Sequence, residues 1–445
     1  MLREAIRIDI SVRNTGQTPV DIPAIADSRN RDLTYILSGS SVQQPFSFHY
    51  GSAAELRMPG SPRLKSIAPG DDLSTTITVQ KYWKDWKTGK HSLQARLGDV
   101  LSNRVDFEIV AGEVLSAQVM ADGDDSPLNM RVLFLAQAGG VRRLYQAFFP
   151  EIDPAVATTP KGSLQEAAPA QPGATEVVAA WTTADRSRLP FTRFGWYGGG
   201  KLGIQDSAEE EPPVIVQTTG SFVRPAFLAE QGDYLVVTIG DRQASLLRIP
   251  SSENGKPTIS WQAALPFQPS SGRAHRERNG TVHVVLQNEG TSFALLRDGQ
   301  VIHHWNHGGG RPLIAGIEPG LGVLPDGGIR VALLLREGDD PKRARLVEWV
   351  WRRDGAEPAT VYHPPFELPD HPVQAGLIYS LGGGNLRLDW VVTLPDGMIV
   401  TNRDPGSARK VEGEAITPLQ LLPRKQITYL LMKHPVELLY LAPLF

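Results

Sequence analysis

Near the start of the chain apolar and polar side chains alternate. Ile6, Ile8, Ile10 and Val12 fall between Arg7, Asp9 and Ser11, the two-residue period of a strand with one buried face. The turn Asn14-Thr-Gly-Gln-Thr-Pro19 ends it. Further runs of this kind predict strands at Leu33–Leu37, Phe46–Tyr50, Leu73–Gln80, His91–Leu97 and Arg104–Val110. The pattern is clearest at Leu321 to Trp351. There Leu-Gly-Val-Leu meets a Pro-Asp-Gly turn, then Ile329–Leu335, a charged turn, and Leu346-Val-Glu-Trp-Val-Trp351. This reads as strand, turn, strand, long turn, strand.

Units like that one recur from Glu113 onward, and seven are expected. Their second strands begin near Met130, Phe191, Tyr234, Val282, Ile329, Leu386 and Ile427. Third strands are expected at Arg143–Phe149, Ala244–Ile249, Ser292–Arg297, Ala344–Trp351, Met398–Asn402 and Val436–Leu441. Innermost strands are expected at Leu115–Met120, Glu176–Trp181, Phe222–Leu228, Arg273–Arg278, Gly320–Leu324, Ala375–Leu381 and Pro418–Leu422. The second unit, around Phe191–Trp196 and Lys201–Ile204, has the weakest pattern. Asp153 to Thr175 is rich in Pro and Ala and poor in large apolar residues, so it reads as a flexible insertion. The acidic run Glu209–Pro213 reads as a shorter loop of the same sort.

Two resemblances follow. Leu64-Lys-Ser-Ile-Ala-Pro-Gly70, the strand Leu73–Val79, Gly89–Arg96 and the Ser102-Asn103 step into Arg104–Ile109 resemble the immunoglobulin-like modules common in bacterial surface and exported proteins. That resemblance implies a β-sandwich over residues 1–112 which holds, spaces or binds. The repeats over residues 113–445, spaced by about 40 to 60 residues, resemble a β-propeller of about seven blades. The expected class is all-β, an immunoglobulin-like sandwich followed by a propeller. The final blade is expected to have three strands, because the chain given stops at the third strand of its last unit.

Composition narrows the function classes. With a net charge of −3 across 445 residues, neither a nucleic-acid partner nor an acidic disordered chain is indicated. The 43 glycines and 35 prolines suit a chain full of turns. No cysteine is present, so disulfides and thiolate chemistry are excluded. No apolar run approaches the ~20 residues of a membrane span. No signal peptide precedes the first strand, so the expectation is a cytoplasmic protein, or an exported one if the sequence is a mature or truncated form.

Candidate sites are few. His304 and His307 in Val301-Ile-His-His-Trp-Asn-His307 could converge on a metal only with a third ligand from elsewhere, and a structural role is the expected one. His303 points to the opposite strand face from His304. Asp122, Asp124 and Asp125 lack the closing glutamate of a calcium loop and read as a polar turn. Tyr82, Trp83 and Trp86, interleaved with lysines, either cap the sandwich core or make a protein, glycan or anionic-surface contact. On the propeller loop face stand Asp241, Arg242, Asn288, Glu289, Asp339, Asp340, Arg343 and Lys433, with Arg273, His275, Arg276, Arg311 and His371 nearer the axis. A basic axial cluster would favour an anionic partner, although charged loop tips also occur simply because loops are wet.

No catalytic triad, phosphate loop or carboxylate pair is present as a motif, and no cofactor is expected. The function expected is a non-enzymatic binding or scaffold protein presenting the loop face to a protein or glycan partner. The alternative is a polysaccharide hydrolase or lyase with two carboxylates about 5–10 Å apart at the axial mouth.

Overall fold

The computed structural model describes residues 7–25, 32–39, 42–49, 63–78, 88–110, 112–120, 129–150, 163–169, 173–181, 192–206, 214–217, 220–223, 228–230, 233–249, 257–277, 279–289, 292–306, 311–324, 326–352, 357–382, 385–411, 413–416, 419–424, 427–433 and 440–444. These residues are all-β, with one short 3-10 turn at Pro395–Gly397. The chain divides into two compact units, one of Arg3–Gly112 with Ala138–Gly140, the other of Glu113–Gln137 and Val141–Phe445 with the first two residues.

In the first unit, Arg7–Arg13 pairs antiparallel with Asp72–Thr78, and Val20–Pro23 with Leu64–Ile67. These are two separate two-stranded sheets; a five-stranded sheet runs Val42–His49, Leu33–Gly39, Gly89–Leu97, and the outer edge of Gly89–Leu97 takes both Val100–Leu101 and Val105–Ile109. Ile10, Leu33, Tyr35, Leu37 and Leu93 are buried together, with Ile8, Val12, Leu73 and Phe107 packed on them. The face marked by alternation at residues 8, 10 and 12 is therefore the buried one. Asn14 fixes the end of the first strand. Its Nδ2 donates to the Thr18 and Ile67 carbonyls at 2.8 and 2.9 Å, and its Oδ1 accepts from Gly16 N–H at 2.9 Å. Gly70, at φ 85°, donates its N–H to the Asn14 carbonyl at 2.8 Å, which ties the Pro-Gly turn to that strand end.

Among the described residues the second unit contains seven consecutive antiparallel meanders. The first is Glu113–Met120, Asn129–Ala138, Val141–Pro150, Ser163–Pro169; the second is Glu176–Trp181, Thr192–Gly198, Lys201–Asp206, Val214–Gln217. In the third, Ser221–Phe222 and Leu228–Glu230 share the inner lane, followed by Asp233–Gly240, Gln243–Ile249 and Thr258–Ala264. The fourth is Ser271–Arg276, Val282–Gln287, Ser292–Arg297, Gln300–Asn306. The fifth places Arg311–Pro312 and Gly320–Val323 in the inner lane, then Ile329–Arg336, Arg343–Trp351, and Ala359–Tyr362 with Phe366–Glu367 in the outer lane. The sixth is Gln374–Gly382, Asn385–Thr393, Met398–Thr401, Asp404–Lys410.

Successive sheets pack on one another through shared cores, because the central strands are apolar on both faces. One strand shows how. Along Arg343–Trp351, Ala344 and Leu346 join a cluster with Leu377, Trp390 and Val392 of the sixth sheet. Val347, Trp349 and Trp351 join another with Val285, Phe293 and Leu295 of the fourth. Similar clusters link the third sheet to the fourth and the sixth to the seventh.

Outer strands are the elements the sequence pattern did not predict. Asp404–Lys410 is mostly exposed, and Ala359–Tyr362 is exposed throughout. Such strands are held by backbone pairing to one neighbour and need no apolar periodicity. For the same reason residues 163–169, inside the stretch expected to be a flexible insertion, form the outer strand of the first sheet, paired with Arg143–Phe148. The inner strand expected as one piece at Phe222–Leu228 is two short pieces instead.

The seventh sheet has Glu414–Ala415 and Leu421–Arg424 on one side of Ile427–Lys433 and Tyr440–Pro443 on the other. It thus has three lanes, and among the described residues no strand lies beyond Tyr440–Pro443. That last strand sits a few residues later than the expected Val436–Leu441, of which residues 436–439 lie outside the described residues. Leu444 N–H donates to the Thr428 carbonyl at 2.7 Å, so Ala442 and Tyr440 continue that ladder. Leu441 and Pro443 consequently turn their backbone away from Ile427–Lys433, to the side where no described strand pairs, and there Pro443 offers no N–H. A proline at that position blunts the edge against strand addition. Substitution of Pro443→Val restores the missing donor. It is expected to produce concentration-dependent self-association in size-exclusion chromatography with light scattering. An unchanged monomer-like elution at high concentration would remove this role.

Candidate functional site

The inner strands of the fourth to seventh sheets border a pocket of about 140 Å³. Arg273 reaches into it from Ser271–Arg276. Gly272 and Ala274 on that strand turn the other way and are buried, Gly272 against Val223 and Leu286. Strand alternation therefore projects Arg273 toward the fifth and sixth sheets. Its Nη1 donates to the Leu377 carbonyl at 2.9 Å and its Nη2 to Glu318 Oε2 at 3.3 Å. One guanidinium thus joins three sheets. Ser271 and Gln287 add to the joint, the Ser271 hydroxyl donating to the Ile317 carbonyl at 2.9 Å and the Gln287 amide donating to the same carbonyl. The remaining walls are Ile314–Ile317, Val373–Gly376, Leu419 and Leu421. Among the described residues lining this pocket Glu318 is the single carboxylate. The carboxylate pair that glycosidic chemistry requires does not assemble there.

The other residues named from the sequence are distributed as follows. His275 is exposed and Arg276 half-buried on the same strand as Arg273. Arg311 is exposed in the inner lane of the fifth sheet, opposite Arg336. His371 is exposed in the connection to the sixth sheet, where its N–H donates to Asp370 Oδ1 at 2.7 Å. Only Arg273 lines the pocket, and the expected five-residue basic cluster is not gathered around it. His304 is exposed and stacks on Phe267 at 5.8 Å. His303 faces the opposite way, against Phe293 and Trp351, and burial holds its imidazole below the usual histidine range. His307, Tyr82, Trp83, Trp86, Asp122, Asp124, Asp125 and the acidic run at 209–213 lie outside the described residues. Among the described residues no group of three metal-ligating side chains converges.

Turns between second and third strands are fixed by local bonds. Asp241 and Arg242 adopt φ of 40° and 57°, as a tight hairpin demands. Asn288 Oδ1 accepts from Ser292 N–H at 3.0 Å, and Asp340 Oδ1 from Lys342 N–H at 2.9 Å. Arg343 is exposed and Lys433 half-buried.

Polar residues missed by motif reading cross the seams between sheets. Glu348, 8% exposed, accepts from the Tyr379 hydroxyl at 2.5 Å and meets His363 Nε2 at 2.6 Å. The Tyr379 ring lies over Gly322, where an added Cβ would stand 2.8 Å from Tyr379 Cγ. Asp389, 1% exposed, pairs with Arg387 at 2.7 Å and accepts from the Thr428 hydroxyl of the seventh sheet at 2.6 Å. Within the fourth sheet, at the hairpin between its first two strands, buried His283 meets Glu277 at 2.5 Å. Their sequence signal is a lone acid inside an apolar run, as in Val347-Glu-Trp-Val and Leu388-Asp-Trp-Val-Val392.

No family model matches the chain, and no curated protein matches it. Among solved structures it is similar to a chain of the BBS1N–ARL6DN complex soaked with mercury, at 14% identity over 68% of this chain and 87% of that one, TM-score 0.39. It is also similar to a chain of a humanized mutant of the Chaetomium thermophilum Polycomb Repressive Complex 2 bound to an inhibitor, at 9% identity over 65% and 67%, TM-score 0.41. A chain of the Mitotic Checkpoint Complex matches at 11% identity over 73% and 90%, TM-score 0.40. Likeness this slight carries no argument about function. The described residues define an all-β protein with seven consecutive meander sheets in its second unit.

Proposed function

We propose that the chain is a non-enzymatic scaffold that binds a protein partner. In this reading residues 113–445 are a seven-bladed β-propeller, and residues 1–112 are an immunoglobulin-like module that spaces or docks it. The observation supporting it most directly is that turn residues are held by hydrogen bonds: Asp340 Oδ1 accepts from Lys342 N–H, Asn288 Oδ1 accepts from Ser292 N–H, and Arg242 N–H donates to Gln268 Oε1. Loops ordered before contact lose little conformational entropy on binding.

The test is cross-linking of the full chain in its native cells, followed by reconstitution with the purified partner. Glu289→Lys with Asp339→Lys, both exposed positions, reverses charge on two turns without touching a hydrogen bond described above. A Kd at least tenfold weaker at unchanged melting temperature is expected. Equal affinity for the double variant, or a glycan as the sole captured species, overturns the reading.

A further inference from the structure

The pocket at the inner strands has features that the sheet-joining role leaves unaccounted for. Arg273 has five N–H donors and the bonds above occupy one on each terminal nitrogen. Leu377 directs its carbonyl to Arg273 and hence away from its ladder partner Trp390. In an antiparallel strand the N–H of that residue points the same way, so a backbone donor stands beside the guanidinium. Beside these donors stand Glu318, paired with Arg273 Nη2 at 3.3 Å, and Gln374, while Ile314, Leu419 and Leu421 make the opposite walls aliphatic, so an incoming carboxylate shares the guanidinium with Glu318. Gly376 keeps the space open, since an added Cβ would lie 3.2 Å from Leu419 Cβ. The volume, about 140 Å³, is below the roughly 300–1,000 Å³ of sites for larger small molecules. It admits a group the size of one amino-acid residue.

We infer that this pocket binds a carboxylate carried on a short aliphatic body, with Arg273 and the Leu377 N–H holding the carboxylate and the leucines holding the chain. Two sources share this chemistry, a free aliphatic acid and the C-terminal residue of a peptide. The variants below leave the turns at Asp241, Glu289 and Asp339 untouched, so failure of this binding would leave the scaffold reading standing.

Calorimetry on the full chain decides it, using 4-methylpentanoate, leucine, and one leucine-ended peptide as free acid and as amide. Saturable binding of at least one acid is expected, with the peptide amide at least tenfold weaker than the peptide acid if the peptide is the ligand. Leu419→Trp fills the pocket without touching a polar group and is expected to weaken binding at least tenfold. Its melting temperature and circular dichroism confirm that it folds, and Leu421→Trp serves if it does not. Heat from none of the acids overturns the proposal, as does equal binding of acid and amide. Undiminished binding by a folded, pocket-filled variant does so too.

Discussion

Replacing Trp349 with alanine is expected to destabilise the second unit by about 3–5 kcal/mol, the usual cost of emptying a buried aromatic site. Trp349 is fully buried, with ring centroids 4.5 Å from Trp305 and 4.7 Å from Phe293. These rings belong to the third and outer strands of the fourth sheet, while Trp349 belongs to the fifth. The cavity would therefore open at a seam, where neither sheet can close it alone. Chemical denaturation followed by circular dichroism measures the loss. A change below about 1 kcal/mol would mean the seam relaxes around the gap.

The next residue on that strand should give the second large effect. Glu348→Ala leaves the Tyr379 hydroxyl and the His363 imidazole without their shared acceptor, at a cost of about 2–4 kcal/mol. This network also predicts a pH dependence. Burial, reinforced by the neighbouring Glu348 charge and hydrogen bond, pushes the Tyr379 hydroxyl well above the usual tyrosine range. The unfolded chain gives up this proton near pH ~10, whereas the folded chain keeps it. The contribution is complete below that pH. It then falls as pH rises, by about 1.4 kcal/mol per unit until the folded group itself ionises. Tyr379→Phe removes the titrating group. The free-energy difference between wild type and variant should thus shrink between pH 9 and pH 11. Parallel pH profiles would falsify the assignment.

The inner three lanes of most sheets were legible because each strand between two sheets must be apolar on both faces, as in Val282–Gln287 and Ile329–Arg336. The outer lanes were not, since Asp404–Lys410 is mostly exposed and carries no apolar alternation, and Ser163–Pro169 joins its sheet by pairing with a single neighbour. Arg273 was legible as a candidate because a long cation sat in a weak inner strand. Its partners Glu318 and Leu377 were not, because contacts 45 and 104 residues away in sequence leave no local pattern. The lone acids of the seams carried a readable signal, an unshielded charge among apolar neighbours. Its meaning required knowing which sheet came next.

Because each interior cluster that the described residues of the second unit form straddles a boundary, none of these clusters is private to one sheet. Melting one would bare a greasy flank on each neighbour, so damage at a seam should spread sideways rather than stay local. The same geometry restricts how the chain can be cut for expression: a break between two meanders strands half a core on each fragment, and removing a whole meander leaves two faces that were never shaped to meet.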